Sequence, residues 1–276
     1  MGRLNILSIC DFLQNLGFHP KMNRPDPYWK SLRGWENEQT IAEFVKFTEK
    51  VVYELKDLVD YWITISEPVA SIIGGGYLAG ISPPGFLLDG KRTKSVIHNL
   101  IEAHVQAYNK ITDIDDIDSN NDGVCKNVGL SHLMASVKSF RSKSILKFTS
   151  SHTEAALNFS YFMNDYFLNA IINGEEDLNY LNTLERYNRD SKDFIVHNEW
   201  KQKLDFIGLN YYRRVHIRPN FILSRSSAKF IGGVPISDLK NKNDFHGDVN
   251  DLGWEIYPDG LYQIMMSLRK IEGLFL

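Results

Sequence analysis

The amino-acid sequence predicts an α/β fold in which parallel strands alternate with helices. Short apolar runs rich in β-branched residues are separated by longer stretches whose apolar residues recur with the period of a helix. Such strand–helix–strand units build either an open doubly wound sheet or a closed barrel. No G-x-G-x-x-G motif follows the first strand-like run, which weighs against the open dinucleotide-binding sheet. We therefore expect a barrel, in one domain that spans residues 1–276.

The first half of the chain contains two predicted strands, two predicted helices and a loop. LNILSICDF (4–12) predicts a strand, since its apolar stretch is too short for a secretory signal. Residues 36–59 place apolar side chains on one helical stripe with charges opposite. YWITIS (61–66) has the β-branched and aromatic residues that favour a strand. The Gly- and Pro-rich residues 74–85 predict a loop long enough to act as a lid, and residues 93–111 predict a second helix.

The second half repeats the same alternation. NVGLSHLMAS (127–136) predicts a strand, and residues 153–174 predict a helix that ends at Gly174. LDFIGLNYY (204–212) predicts another strand. A turn then precedes a helix that begins near Pro258, a residue favoured in the first helical turn.

Composition and charge exclude several classes of protein. The hydrophobic share of 43% and the net charge of −3 suit a globular chain with one sizeable core. Basic residues form no block, so we expect no nucleic-acid partner. No apolar run approaches the roughly 18 residues of a membrane span, so we expect no membrane association. Cys10 and Cys125 make no disulfide framework, which favours a reducing, cytoplasmic setting.

The stretch YWITISEPVA (61–70) carries a charge to the end of an apolar strand. The strand is followed by Glu67 and then by Pro68, which cannot donate to a strand ladder. Glu67 therefore lies at the carboxyl end of a strand, where barrel enzymes gather their functional groups. We predict that Glu67 is a catalytic residue.

The strand LDFIGLNYY (204–212) offers two further polar groups at its end. Asn210 and Tyr212 are two positions apart and so share one face, whereas Leu209 and Tyr211 share the other. An amide and a phenol on one face can orient a carboxylate. From this strand alone, a tyrosine at the rim of the core and an asparagine capping a loop explain the pattern equally well.

Three motifs in chain order resemble glycoside hydrolase family 1, the β-glucosidase and β-galactosidase family. They are WITISEP (62–68), LDFIGLNYY (204–212) and GWEIYPDGLYQIM (253–265). GYLAGISPPG (76–85) and IEAHVQAYNKI (101–111) resemble the loop and helix that follow the family's acid/base strand. The resemblance covers most of the chain, and the order of three separate motifs makes it specific.

The resemblance implies a TIM (β/α)₈ barrel that hydrolyses β-glycosides with retention, using two glutamates and no cofactor or metal. Glu67 matches the family's acid/base. Tyr212 matches the phenol that contacts the nucleophile, and Asn210 matches the amide beside the acid/base. Ser66 and Trp62 are expected to bind the substrate, a small β-glucoside or β-galactoside.

Two positions depart from the family pattern. Ser66 stands where the family usually has an asparagine that holds the 2-hydroxyl of the sugar. Serine is shorter and has one donor, so we expect this hydrogen bond to be weaker or mediated by water. The first strand of the family match usually carries a sugar-binding histidine, whereas residues 7–14 offer Cys10 and Asp11.

The family's nucleophile is the largest departure. A T-E-N-G-like strand is expected after the helix at Pro258, but the sequence continues as SLRKIEGLFL. Glu272 follows no strand pattern, and Glu255 lies in GWEIYP, whose role in the family is not nucleophilic. By resemblance the chain is a partial barrel of about strands three to six of eight. We expect it to be inactive or weakly active alone.

A partial barrel has two sheet edges with unpaired N–H and C=O groups. We therefore expect self-association or a complementing chain. One alternative is a truncated gene product or pseudoenzyme that binds sugar or serves as a split-barrel subunit. Another is a retaining glycosidase of a different family with a similar barrel, although GWEIYPDGLY argues against it.

The motif DSNNDG (118–123) has the opening of a calcium-binding loop. A bidentate glutamate is required at the twelfth position, where this chain has Gly129. A solvated turn between helix and strand is the better interpretation.

The histidines and the acidic run NGEEDLN (173–179) are expected to be structural. His98 and His104 are six positions apart, which does not fit the paired ligands of a zinc helix. We expect His216 and His246 in polar loops, and the acidic run at a solvated helix end.

Overall fold

The computed structural model describes residues 6–9, 34–140, 149–177, 180, 194–237, 239–240 and 245–271. The strands are β1 (Ile6–Ser8), β2 (Tyr61–Ser66), β3 (Asn127–Leu133), β4 (Ser136–Ser139), β5 (Glu175–Glu176), β6 (Ile195–Val196), β7 (Phe206–Asn210), β8 (Arg214–Pro219) and β9 (Gly233–Pro235). The α-helices are α1 (Gln39–Leu55), α2 (Gly90–Ile114), α3 (Thr149–Ser160), α4 (Tyr166–Asn173), α5 (Phe221–Ser224) and α6 (Pro258–Leu268). Two π-helical segments span Pro68–Leu78 and Tyr161–Asp165, and short 3₁₀ turns span Gly34–Glu36, Asn198–Trp200 and Lys229–Ile231. Cys10, Asp11 and Glu272 lie outside the described residues.

A four-stranded sheet in the order β1–β2–β3–β7 is the centre of the described structure. Every neighbouring pair in it is parallel. Helix α1 packs against α2, and α2 packs on β2 and β3, as expected for parallel strands joined by crossover helices. The predicted alternation of parallel strands and helices is confirmed.

Alternate residues of β2 fasten one face of the sheet to α2. Trp62 Nε1 donates to Asp115 Oδ2 at the end of α2 (2.7 Å), and Thr64 Oγ1 lies 2.6 Å from His104 Nδ1. His104 Nε2 lies 2.6 Å from the carbonyl oxygen of Lys203, and burial lowers the pKa of this histidine to about 4. His104 is therefore a core residue, as predicted, and these contacts leave the opposite face of β2 for the site.

A second sheet, β4–β8–β9, continues two strands of the first. Met134 N donates to the Asn210 carbonyl (3.0 Å) where β3 and β7 end. The same two chain segments then pair in parallel again as β4 and β8, and β9 adds an antiparallel strand. The carboxyl ends of β3 and β7 are thus held in register by strand pairing both before and after Met134.

The segment predicted as a loop at residues 74–85 is helical in its first part. The π-helical segment extends to Leu78, and Ala79 N donates to the Gly74 carbonyl (2.8 Å). The glycines here serve close packing as well as turning. A Cβ on Gly76 would lie 2.9 Å from the carbonyl oxygen of Pro83, so the returning chain requires glycine at this position.

Gly174 ends α4 as predicted. Its φ of +70° is in the left-handed region, and its N–H donates to the Ala170 carbonyl (2.9 Å). A side chain there would also lie 2.3 Å from the carbonyl oxygen of His197. Glycine therefore meets both a conformational and a steric requirement.

Residues 118–123 form a turn that leads into β3. Asp118 Oδ1 and Oδ2 accept from the backbone N–H groups of Asp122 (3.1 Å) and Gly123 (2.8 Å). Asn120 Oδ1 accepts from Asp122 N as well (2.8 Å). A strand follows where a calcium-binding hand requires a helix, so the interpretation as a turn is confirmed.

Within the acidic run at 173–179, Glu176 does not belong to a solvated helix end. Glu176 is 3% exposed and lies between two imidazoles, 2.8 Å from His98 Nδ1 and 2.8 Å from His197 Nε2. The ring of His197 stacks on Trp200 with centroids 3.9 Å apart. The prediction was wrong because the partners of Glu176 come from distant parts of the chain.

This cluster makes the unfolding free energy depend on pH. The hydrogen bond from His98 to Glu176 raises the pKa of His98, despite the opposing effect of burial. Burial alone would raise the pKa of Glu176, but His98 and His197 outweigh it and lower that pKa. The His98 contribution is present below its ordinary pKa of 6.5 and is lost as the pH rises through the raised value. The Glu176 contribution is present above 4.5 and is lost as the pH falls through the lowered value.

Replacing Glu176 by Gln is therefore expected to lower the free energy of unfolding most between pH 4.5 and pH 6.5, where His98 and Glu176 are both charged. We expect a loss of about 1.5–3 kcal/mol at about pH 5.5, and a smaller loss at a pH above the raised pKa of His98, where its imidazole is neutral. Urea unfolding at both pH values measures the difference. Glu175→Gln, on the same strand, is the control. An equal loss at both pH values would contradict the charged pairing of His98 and Glu176.

Candidate active site

Glu67 lies at the carboxyl end of β2 with an unusual backbone conformation. Its φ of +48° and ψ of +56° are left-handed, which is uncommon for a residue with a side chain. The Glu67 N–H donates to the Ser131 carbonyl (2.7 Å), so β3 holds the backbone in this conformation. Pro68 then begins the π-helical segment. The turn directs the carboxyl of Glu67 to the end of the sheet at which β3 and β7 also finish.

Both oxygens of the Glu67 carboxyl are hydrogen-bonded. Asn210 Nδ2 donates to Oε1 (2.6 Å), and the Tyr212 hydroxyl lies 3.4 Å from the same oxygen. Ser71 Oγ, one turn after Glu67, donates to Oε2 (2.8 Å). The structure thus brings together the three residues that the sequence singled out as catalytic.

The strand order explains why residues more than 140 positions apart meet. β3 lies between β2 and β7, with Ser66 opposite Ser131 and Ser131 opposite Gly208. Asn210 Nδ2 also contacts Ser131 Oγ (3.1 Å). The amide of Asn210 therefore spans the middle strand to reach Glu67.

Ser71 and Ser131 are site residues that the sequence analysis missed. Ser131 lies in the middle of the predicted strand 127–136, whereas the observed β3 ends two residues after it. The predicted bounds therefore gave no signal for Ser131. Ser71 follows Glu67 by four positions, a spacing that brings side chains together only if the chain is helical. The helix after Pro68 was not predicted.

Tyr212 is exposed over 58% of its surface and is therefore open to a ligand. The negative charge of Glu67 raises the pKa of the Tyr212 phenol, and partial burial adds to this effect. Tyr211 takes the other face, where its hydroxyl donates to the Tyr257 carbonyl (2.6 Å). The predicted alternation along this segment agrees with both contacts.

Trp62 does not lie at the site. Its side chain is fully buried on the face of β2 that packs against α2, with its indole N–H bound to Asp115. The prediction that Trp62 binds substrate was wrong, because alternation along β2 places its side chain on the face of the sheet that packs against α2, opposite to Glu67. Ser66 is half-buried at the end of β2, and its role in binding substrate stays a prediction.

His216 is a buried strand residue and not part of a polar loop. It lies on β8, is 5% exposed, and its Nε2 is 2.6 Å from Glu255 Oε2. Glu255 also accepts two hydrogen bonds from the guanidinium of Arg214. The prediction for His216 was wrong because the partner that buries its imidazole, Glu255, comes from a distant part of the chain.

Within the described ranges, no group of three or more His, Cys, Asp or Glu side chains is arranged to hold a metal ion. Of the helices in those ranges, none is both long and apolar enough to cross a bilayer.

Comparison with known proteins gives a consistent family match. The sequence profile described as Glycosyl hydrolase family 1 matches residues 26–272. A β-galactosidase of Pyrococcus woesei is 28% identical over 95% of this chain and 53% of its own length. Beta-glucosidase A of Acetivibrio thermocellus is 29% identical over 87% of this chain and 48% of its own length.

A crystal structure of a rice β-glucosidase superposes with a TM-score of 0.68 at 23% identity. The superposition covers 89% of this chain and 52% of the rice chain. At that identity the likeness concerns the fold, which is a TIM barrel of which this chain covers a part. The chain spans about half the length of the curated relatives it matches.

Proposed function

Because the chain belongs to glycosyl hydrolase family 1, we propose that it carries the acid/base half of the active site of a retaining β-glycosidase. The substrates are small β-glucosides or β-galactosides, in keeping with the names of the relatives. The proposed reaction uses carboxyl groups and water and requires no cofactor.

One observation carries this proposal. The carboxyl of Glu67 lies at the end of a parallel strand, within 2.6 Å of the Asn210 amide and 3.4 Å of the Tyr212 phenol. In the first step a second carboxylate attacks the anomeric carbon to form the glycosyl-enzyme, and Glu67 donates a proton to the departing glycosidic oxygen as its bond breaks. In the second step the Glu67 carboxylate takes a proton from water, which attacks the anomeric carbon and releases the second carboxylate. Asn210 orients the carboxyl of Glu67, Tyr212 contacts this carboxyl and by resemblance the attacking carboxylate as well, and Ser66 contacts the sugar.

The same mechanism requires a second carboxylate about 5–5.5 Å from the first. In the described part of the chain, the hydrogen-bond partners of the Glu67 carboxyl are an amide and two hydroxyl groups. We place β1, β2, β3 and β7 at strands three to six of the barrel. Residues 1–276 alone are then expected to be inactive or nearly so, with open edges at β1 and β7 for another copy or a complementing chain.

A completed barrel tests the proposal. Residues 26–272 replace the matched segment of a related β-galactosidase, and the chimera and residues 1–276 alone are assayed with 4-nitrophenyl β-glucoside and β-galactoside. We expect turnover by the chimera, with a product that retains the β configuration. We expect none by residues 1–276 above their Glu67→Gln variant.

Two outcomes distinguish the alternatives. A folded chimera that binds β-glycosides saturably without cleaving them would favour a sugar-binding pseudoenzyme. Turnover by residues 1–276 clearly above their Glu67→Gln variant would contradict the need for a second carboxylate from elsewhere.

A further inference from the structure

A second buried glutamate lies close to the site and has two basic partners. Glu255 is 5% exposed. Arg214 grips its carboxylate with two hydrogen bonds, Nε to Oε2 (2.7 Å) and Nη2 to Oε1 (2.5 Å). His216 Nε2 is 2.6 Å from Oε2. We call Arg214, His216 and Glu255 the ion cluster.

The ion cluster is too well paired to be mobile. Burial alone would raise the pKa of Glu255, but the hydrogen bonds from Arg214 and His216 outweigh it and lower that pKa. The guanidinium of Arg214 also lies over the Tyr257 ring, 3.6 Å from its centroid. A planar guanidinium bound at both nitrogens and stacked on a ring has few alternative positions.

Residues 253–257 are joined to the chain on both sides of Tyr212, by the ion cluster on one side and by a separate hydrogen bond on the other. On the C-terminal side, Arg214 pairs with Glu255 through the backbone as well as the side chains. On the N-terminal side, the Tyr211 hydroxyl donates to the Tyr257 carbonyl (2.6 Å). Trp254, next to Glu255, meets the Tyr212 ring edge-on with centroids 6.5 Å apart.

Among the described residues, the Tyr212 side chain contacts Glu67 and Trp254. It is more than half exposed, and the hydrogen bond between its hydroxyl and Glu67 is long at 3.4 Å. Its position therefore depends on the backbone that carries it and on the Trp254 ring beside it.

We propose that Glu255 is a positioning residue which, through Arg214 and Trp254, holds the Tyr212 phenol against the Glu67 carboxyl. The catalytic meaning of this contact rests on the function proposed above, whereas the contact itself can be measured without turnover.

The test follows the phenol of Tyr212 directly. Residues 1–276 are labelled with 3-fluorotyrosine, and the ¹⁹F signal of residue 212 is assigned by its loss in Tyr212→Phe. In the parent chain this signal is expected to titrate at a higher pH than in Glu67→Gln, because the charge of Glu67 raises the pKa of the Tyr212 phenol. Glu67→Gln removes that charge and gives the reference for a Tyr212 phenol without it.

Glu255→Gln is expected to move the Tyr212 titration towards the Glu67→Gln reference. Arg214→Lys keeps the positive charge but loses the pair of hydrogen bonds from the guanidinium to Glu255. It is expected to move the Tyr212 titration in the same direction while preserving the fold. Glu43→Gln, on an exposed face of α1, is the matched control and is expected to leave the titration unchanged. In the completed barrel, Glu255→Gln is expected to lower kcat by about 10–10²-fold through misplacement of the phenol, and Glu255→Asp to restore part of it.

If the midpoint of the Tyr212 titration stays at the parent value in folded Glu255→Gln and in Arg214→Lys, the proposal is overturned. If Glu255→Gln fails to fold, Arg214→Lys alone decides. A shifted titration together with an inactive completed barrel would support the role of Glu255 while contradicting the proposed function.

Discussion

Replacing Glu67 by Gln in the completed barrel is expected to lower kcat/KM for β-glycosides with poor leaving groups by about 10²–10⁴-fold. Glutamine keeps the size of the side chain and can still accept the hydrogen bond from Asn210, but it has no proton to give to the departing oxygen. The loss is therefore expected to be chemical, with little change in the fold.

The dependence on leaving group makes this prediction specific. A 2,4-dinitrophenolate departs without protonation. For a 2,4-dinitrophenyl glycoside, the substitution is therefore expected to slow the step that breaks the glycosidic bond far less. Steady-state kinetics with alkyl, 4-nitrophenyl and 2,4-dinitrophenyl β-glucosides measures the trend, and Glu43→Gln is the control for a surface carboxylate. If all three substrates lose the same factor, Glu67 is not the proton donor.

Replacing Trp62 by Ala is expected to lower the free energy of unfolding of residues 1–276 by about 3–5 kcal/mol. Trp62 is fully buried between β2 and α2, so the substitution leaves a cavity in the core. It also removes the donor to Asp115, a carboxyl whose pKa is already raised by burial. Denaturant unfolding measures the loss.

Two further variants separate the parts of this effect. Trp62→Phe retains most of the ring volume and loses the indole N–H, so we expect a smaller loss than for alanine. Tyr53→Ala removes an aromatic ring that is 67% exposed and is expected to have little effect. A normal unfolding free energy for Trp62→Ala, combined with weaker substrate binding in the completed barrel, would restore Trp62 as a substrate contact.

The sequence predicted the parts of the fold that depend on local pattern. Helical period and charge predicted α1 and α2, and the left-handed preference of glycine predicted the end of α4 at Gly174. A run of β-branched and aromatic residues followed by a proline predicted that Glu67 would end a strand. Each of these signals lies within one element, where a few neighbouring residues decide the conformation.

The sequence failed where partners come from separate elements. Glu176 lies in a polar run and is buried because His98 and His197 reach it from other elements. Trp62 was assigned to the site because it shares a motif with Glu67, yet alternation along β2 buries it on the opposite face. Ser71 was missed because the π-helical segment contains glycines, which usually indicate a loop.

The left-handed backbone of Glu67 bears on how this position changes over evolutionary time. Holding a residue with a Cβ in that region costs about 1–2 kcal/mol, a cost that glycine avoids. Neutral drift would then favour glycine at position 67 in any lineage that no longer used the site. Glu67→Gly is therefore expected to relieve the backbone strain while removing the carboxyl, so stability and use of the site make opposite demands on this position.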